Sequence, residues 1–365
     1  MTVSTERRDV VAAGKIRAAD ASADGARTPR EDSQVYFHVL PPPYGDSPTL
    51  GSRTFDGRLH RPMSVYRVLV TGGSGFIGSH LCRRLVDSGL EVHVVSRTQR
   101  NAADGIRWWT TDLTEYEATQ HLLRTIRPEL VFHLASFVTG SRDLGAVLPT
   151  FRNNLLTTVN LLTAACEVGR PLVVLAGSAE EPPPHDSDPV PASPYAAAKI
   201  AASTYARTFS ARFGLPTFTF RISMVYGPGQ QDGTKLVPYV TQSLLRGESP
   251  ALGSCGREVD WIYVDDVIDA FVMFAHSTET TYPSKTVGES LDVGSGHLVS
   301  VRTVVEQIAQ MIDGPAAPRF GVLCDRPFER TLLADVARTR AAIGWEPRTS
   351  LENGLMKTVE WYRQG

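Results

Sequence analysis

The stretch VLVTGGSGFIGSHL, Val68 to Leu81, narrows the folds open to this chain more than any other. A short apolar run from Tyr66 to Val70 ends in Gly72, Gly75 and Gly78, spaced G-x-x-G-x-x-G, and passes into an amphipathic segment from Phe76 to Ser88. The order is strand, tight turn, helix. So sharp a turn calls for positive φ angles that glycine adopts cheaply, and a diphosphate reaches the backbone only where no Cβ stands in the way. The free amides of the first helical turn then face the anion, with the positive end of the helix dipole behind them. Gly78 lets the helix pack closely on the strands. A glycine-rich turn in another kind of α/β protein would share the spacing, but here the flanking strand and helix supply the context a dinucleotide site requires. Gly72, Gly75, Phe76, Ile77 and Gly78 are therefore candidate cofactor contacts.

The rest of the chain fits such an enzyme. Its 365 residues, 42% of them apolar, suffice for one large or two ordinary domains with a real core. A net charge of −2 offers no basic footprint for nucleic acid and no polybasic membrane patch. Cys82, Cys166, Cys255 and Cys324 are scattered without C-x-x-C or histidine ligand spacing, so they read as free thiols of a reducing compartment, and no metal site is expected. No apolar run approaches the ~20 residues that cross a bilayer. The expectation is a cytoplasmic protein.

Residues 1–34 carry almost no large apolar side chains and are expected to be disordered. Pro41, Pro42 and Pro43 break up the few apolar residues that follow, and Met63 sits just before the first strand. Residues 1–62 thus read as an irregular tail, or as upstream sequence translated from an early start, with no catalytic role.

Beyond the first helix, the strand EVHVV (Glu91–Val95) ends in Ser96 and Arg97, where a dinucleotide fold meets the adenosine ribose. A carboxylate there accepts bonds from a free 2′-hydroxyl, whereas an arginine tolerates a 2′-phosphate. None is present, which favours NADP(H), with Arg97 and Arg100 as the clamp, and leaves NAD(H) open. Strand ends at Asp112 and Leu113, and at Leu134, Ala135 and Ser136, are placed to touch the cofactor, as is Asn154 at the start of a helix running to Glu167. His133 lies inside an apolar strand and reads as a core histidine. Further strands at Leu172–Ala176 and Thr217–Ile222 continue the alternation with helices, which implies a doubly wound parallel sheet with ligands beyond the carboxyl ends of its strands.

Ser178 stands just past the fifth strand, and after a proline-rich loop comes Ser193-Pro194-Tyr195-Ala-Ala-Ala-Lys199. Ser193 suits an N-cap and Pro194 the first helical position, so Tyr195 and Lys199 fall one turn apart on one face. A phenol with a pKa near 10 is a poor acid–base catalyst at neutral pH; a nearby ammonium and a positive nicotinamide ring stabilise the phenolate and lower it. Lys199 can also bond the nicotinamide ribose, and Ser178 can donate to the reacting oxygen.

At these residues the chain resembles the extended short-chain dehydrogenases/reductases, the NAD(P)-dependent sugar-nucleotide epimerases, dehydratases and reductases. The resemblance runs from about Ser64 to Tyr362 through HLAS (133–136), NLL (160–162), RISMVYGPG (221–229), WIYVDDV (261–267), DVGSG (292–296) and GWEPRTSLENGL (344–355). It implies an α/β Rossmann-type fold, with residues 63–226 as the NAD(P)-binding domain, a returning strand near 290–294, and residues 227–365 mainly as a smaller substrate-binding domain. It further implies Tyr195 as proton donor or acceptor, Lys199 as its electrostatic helper, Ser178 as hydroxyl partner, and a homodimer built as a four-helix bundle from the helices Asn154–Glu167 and Tyr195–Phe213.

The departures from that pattern are informative. Dehydratases place Asp-Glu after the hydroxyl residue, whereas this chain has Ala179-Glu180, and Met224 replaces the usual asparagine before VYGP. The stretch SAEE is closer to the SSEEYG of nucleotide-linked 4-ketosugar reductases. Candidate substrate contacts are Glu180, Met224, Lys235, and Arg257 and Arg326, whose guanidiniums suit the diphosphate of a sugar nucleotide. Asp265 and Asp266 read as helix caps. The expectation is NADPH-dependent reduction, at C4, of a nucleotide-linked 4-keto-6-deoxyhexose. A 4-epimerase is the alternative, with a dehydratase or a non-catalytic dinucleotide sensor behind it.

Overall fold

Strands rich in β-branched and aromatic residues are suited to burial in the middle of a parallel sheet. In this computed structural model, which describes residues 66–101, 105–181, 190–280, 288–324 and 331–364, they are β1 (Arg67–Thr71), β2 (Glu91–Ser96), β3 (Ile106–Thr110), β4 (Leu130–His133), β5 (Leu172–Ser178) and β6 (Thr217–Ile222). The later strands are β7 (Met224–Tyr226), β8 (Glu258–Tyr263), β9 (Ser290–Val293) and β10 (Leu298–Ser300). The tail 1–62 and Arg326 lie outside the described residues.

The main sheet has the order β3-β2-β1-β4-β5-β6-β9, every neighbour pair parallel. The chain runs outward in one direction through β2 and β3 and in the other from β4 on. A crevice therefore opens between the carboxyl ends of β1 and β4, where doubly wound folds bind their ligands. Alternate side chains of each strand enter the cores on opposite faces: Val68, Val70 and Phe132 on one, Leu69, Val131 and Val173 on the other. Each such fully buried Val, Leu or Phe contributes roughly 1.5–3 kcal/mol.

Helices α1 (Phe76–Asp87) and α7 (Val264–Thr280) pack together, and Phe218 of β6 stacks on Phe274 of α7 with centroids 4.4 Å apart. On the opposite face lie α2 (Tyr116–Ile126), α4 (Thr157–Glu167) and α5 (Pro194–Phe213). A second sheet, β10-β8-β7, is flanked by α6 (Leu236–Leu245), α8 (Val301–Ile312) and α10 (Leu351–Gln364), while α9 (Val336–Ile343) packs on β9.

Two expectations need revision. The helix expected to start at Asn154 begins earlier, with a 3₁₀ turn (Leu144–Ala146), α3 (Val147–Thr150) and a π-helical segment (Phe151–Leu156) before α4. Such a bulge changes the phase of the helix, and Asn154 here turns inward: its Oδ1 accepts from Phe137 N at 2.6 Å and its Nδ2 donates to Phe137 O at 3.2 Å. The Asp266 carboxylate, expected to cap a helix, instead accepts from the amides of Arg348 and Thr349 at 3.1 and 3.0 Å. Trp345 Nε1 donates to Asp266 O at 2.9 Å, so the GWEPRTS segment is moored to the start of α7.

Candidate active site

The glycine corner follows from β1 ending against β4. Gly72 has φ +71°, and a Cβ there would stand 2.6 Å from Ala135 N. Gly75 lies in extended backbone at φ −82°, so it and Gly78 are needed for space rather than for left-handed geometry; a Cβ on Gly78 would press into Gly72 O. Gly75 caps α1 without a side-chain bond, which leaves the first amides of the helix open to an anion. Gly73, which the motif spacing passes over, is as crowded: its Cβ would lie 2.5 Å from a Val94 methyl.

From this corner a cavity of about 2670 Å³ runs to the second sheet. Its wall includes Gly72, Gly75, Phe76, Ile77 and Gly78 at the glycine corner. Ser96, Arg97, Asp112, Leu113, Leu134, Ala135 and Ser136 line the strand ends. Ser178, Glu180, Tyr195 and Lys199 stand in the middle, and Met224, Lys235 and Arg257 face the far end. Asn154 is absent from the wall; it is 2% exposed, clamps Phe137, and leaves the neighbouring Asn153 to line the cavity.

At the end of β2, Arg97 Nη1 donates to Asn153 Oδ1 at 3.2 Å, and the Arg100 guanidinium lies over the Trp108 ring at 5.4 Å. Arg83 of α1 lines the same end, and sequence spacing carried no signal for it, for Trp108 or for Asn153. Asp112 Oδ1 accepts from Thr114 N and Oγ1, each at 2.9 Å, and so serves its own turn.

At the centre, Ser193 caps α5 by accepting from Ala196 N at 3.1 Å, which sets the phase that puts Tyr195 and Lys199 on one face. Lys199 Nζ donates to Ala176 O at 2.8 Å and lies 5.7 Å from the centroid of the Tyr195 ring. The Ser178 hydroxyl, which accepts from Glu180 N at 3.1 Å, and Ser136 stand beside the Tyr195 phenol. Burial pushes the phenol above its ordinary range, Glu180 and Glu181 push it the same way, and the two serines partly oppose them. Burial also brings the Lys199 amine down to about 8, against the pull of Glu181. His133 is buried between Thr71 Oγ1 at 2.8 Å and Thr158 Oγ1 at 3.0 Å, and burial and Lys199 hold it to about 3, a neutral core imidazole.

Toward the second sheet, Met224 is 42% exposed to the cavity, and Lys235 Nζ donates to Val138 O at 3.3 Å and faces Asp232 at 3.7 Å. Arg142 also lines the cavity, tied to Ala192 O at 2.9 Å, and no motif singled it out. Among the described residues no cluster of histidine, cysteine or carboxylate side chains could hold a metal ion, and no helix is long and apolar enough to cross a membrane.

The chain as a whole is similar to known proteins. The UDP-glucose 4-epimerase of Mycolicibacterium smegmatis is 31% identical over 317 residues, covering 81% of this chain and 98% of that protein. A probable dTDP-glucose 4,6-dehydratase of Sinorhizobium fredii is 28% identical over 335 residues, covering 81% and 92%. The solved structure of MoeE5 in complex with UDP-glucuronic acid and NAD superposes with a TM-score of 0.72 at 31% identity, covering 82% of this chain and 99% of that one. The profile of the NAD dependent epimerase/dehydratase family matches residues 68–288, and the chain belongs to that family, an enzyme of the extended short-chain dehydrogenase/reductase type.

Proposed function

We propose that this enzyme is an NADPH-dependent reductase acting at C4 of a nucleotide-linked 4-keto-6-deoxyhexose. The observation that carries the choice of cofactor is the wall at the end of β2, where Arg83, Arg97 and Arg100 line the cavity and Ser96 stands where a ribose-binding carboxylate would be. Three guanidiniums suit a 2′-phosphate. Ala179, in place of an acid directly after Ser178, speaks against elimination, which needs an acid and a base on adjacent carbons.

The residues present fit a dinucleotide: no Cβ fills the corner at Gly72 and Gly78, and the amides of α1 are open to a diphosphate. When bound, the dinucleotide supplies the hydride that reduces the sugar carbonyl. Tyr195 gives its proton to the developing alkoxide, and Ser178 holds that oxygen in line. The Lys199 ammonium, anchored on Ala176 O, would hold the nicotinamide ribose and stabilise the phenolate left on Tyr195. Arg257 and Lys235 take the substrate diphosphate.

A second reading, a 4-epimerase with retained NAD, is favoured by the similarity to the Mycolicibacterium epimerase and to the NAD complex of MoeE5. Incubation with NADPH and a nucleotide 4-ketosugar separates the two. Stoichiometric loss of reduced-cofactor absorbance supports the reductase; interconversion of C4 epimers without net oxidation overturns it in favour of the epimerase.

The assembly we propose is a homodimer packed through α3–α4 and α5. Exposed Leu144, Leu148 and Phe151, in the turns that lead into α4, and Tyr205 on α5 would be covered there. The four free cysteines agree with a cytoplasmic location.

A further inference from the structure

Glu181 has no part in the chemistry above, yet it is only 6% exposed. We propose that Glu181 is a positioning residue of the reaction centre: its carboxylate fixes the Ser178 turn and holds Lys199 in its ammonium form. The proposal rests on the catalytic reading of Ser178, Tyr195 and Lys199 given above.

The first half of the role is a clamp. Glu181 N donates to Ser178 O at 3.0 Å, while Glu181 Oε1 folds back and accepts from Ser178 N at 2.7 Å, so both backbone groups of the catalytic serine are held by one residue. Space for the carboxylate comes from Gly177, where a Cβ would lie 2.6 Å from Glu181 Oε1. Gly177 is not in the left-handed region, so its lack of a side chain matters here for room and not for conformation. Ser203 of α5 stands beside the carboxylate and favours its ionised form. Ser203 lies one turn beyond Lys199, which lies one turn beyond Tyr195, so a single stripe of α5 faces both the phenol chemistry and the buried acid behind it.

The second half is electrostatic. An amine as enclosed as Lys199 loses its proton readily unless an anion shares its surroundings. Burial raises the Glu181 carboxyl above the usual carboxylate range, and Lys199 from α5 and Arg221 from β6 are cations that partly oppose it by favouring the ionised form. Arg221 is already paired with Asp292 of β9, Nε to Oδ1 at 2.6 Å, which leaves Lys199 as the cation whose charge Glu181 balances. Glu180 and Tyr195 also lie within reach of this group, and His133, close to Lys199, is neutral. With Lys199 Nζ bonded to Ala176 O and Glu181 bonded to Ser178 N, the two side chains hold the last residues of β5.

The test is the pH dependence of NADPH affinity, followed by cofactor fluorescence, a reading that needs no sugar. The wild type is expected to lose affinity as the pH rises through about 8, where Lys199 gives up its proton. Glu181→Gln keeps an oxygen for the Ser178 amide but removes the charge; its midpoint should fall by about 1 pH unit, and the alkaline limb of turnover should move with it. Ser203→Ala, which weakens the carboxylate without touching it, should shift the midpoint the same way by less, and it carries the test if the Gln variant does not fold. A midpoint unchanged in the folded variants overturns the proposal. Absence of turnover in the wild type, with the cofactor titration behaving as described, would instead count against the reductase reading.

Discussion

The two ends of the cavity are built on different principles. The glycine corner of the cofactor end is one continuous stretch: β1, the turn and α1 are consecutive, and its geometry is set by contacts such as Gly78 against Gly72 O and Gly75 N to Gly72 O at 3.0 Å. The substrate end is assembled from segments far apart in the chain, with Val138 meeting Lys235, Arg142 meeting Ala192, and the loop after Leu252 meeting Leu323.

That contrast can be broken in four ways. The largest effect belongs to the point where the two ends meet: Tyr195→Phe should lower turnover by roughly 10²–10⁴-fold while NADPH still binds, and unchanged kcat in that variant would remove the phenol from the chemistry. Next, Gly78→Val drives a side chain into Gly72 O, so thermal unfolding should show a loss of about 1–3 kcal/mol and calorimetry should show no cofactor binding; a variant that binds NADPH normally would mean the corner is not the diphosphate site. Arg97→Ala should weaken NADPH roughly tenfold or more, as expected for a charged hydrogen bond, and leave NADH nearly unchanged; equal losses would restore NAD as the natural cofactor. The smallest effect should come from Arg257→Ala, a several-fold rise of KM for the nucleotide sugar from loss of one phosphate contact, with no change in cofactor Kd. A change in cofactor affinity there would show that the two ends are not independent.

The legible part of this protein was the part written in short-range spacing. The strands and helices of the parallel sheet, the cap at Ser193, the face shared by Tyr195 and Lys199 and the buried role of His133 all follow from periodicity and turn chemistry within a dozen residues. Asn154 shows where such reading fails: a π-helical segment re-aims its side chain, and nothing in the helical period marks that bulge. Asp266 fails differently, because an acid at a helix start has the same local pattern whether it caps its own helix or receives amides from residues 348 and 349.

The sequence alone determined that this chain forms a doubly wound sheet with a glycine corner after its first strand and with Tyr195 and Lys199 on one helix face, because each depends on residues that are close along the backbone. Only the tertiary structure decided which charges stand together. Arg83 joins Arg97 and Arg100 because α1 packs beside the end of β2, and Glu181 sits under Ser178 because Gly177 leaves it room and α5 brings Ser203 and Lys199 to it. Electrostatic strength depends on distance through space and on exclusion of water, and neither is a property of position along a chain.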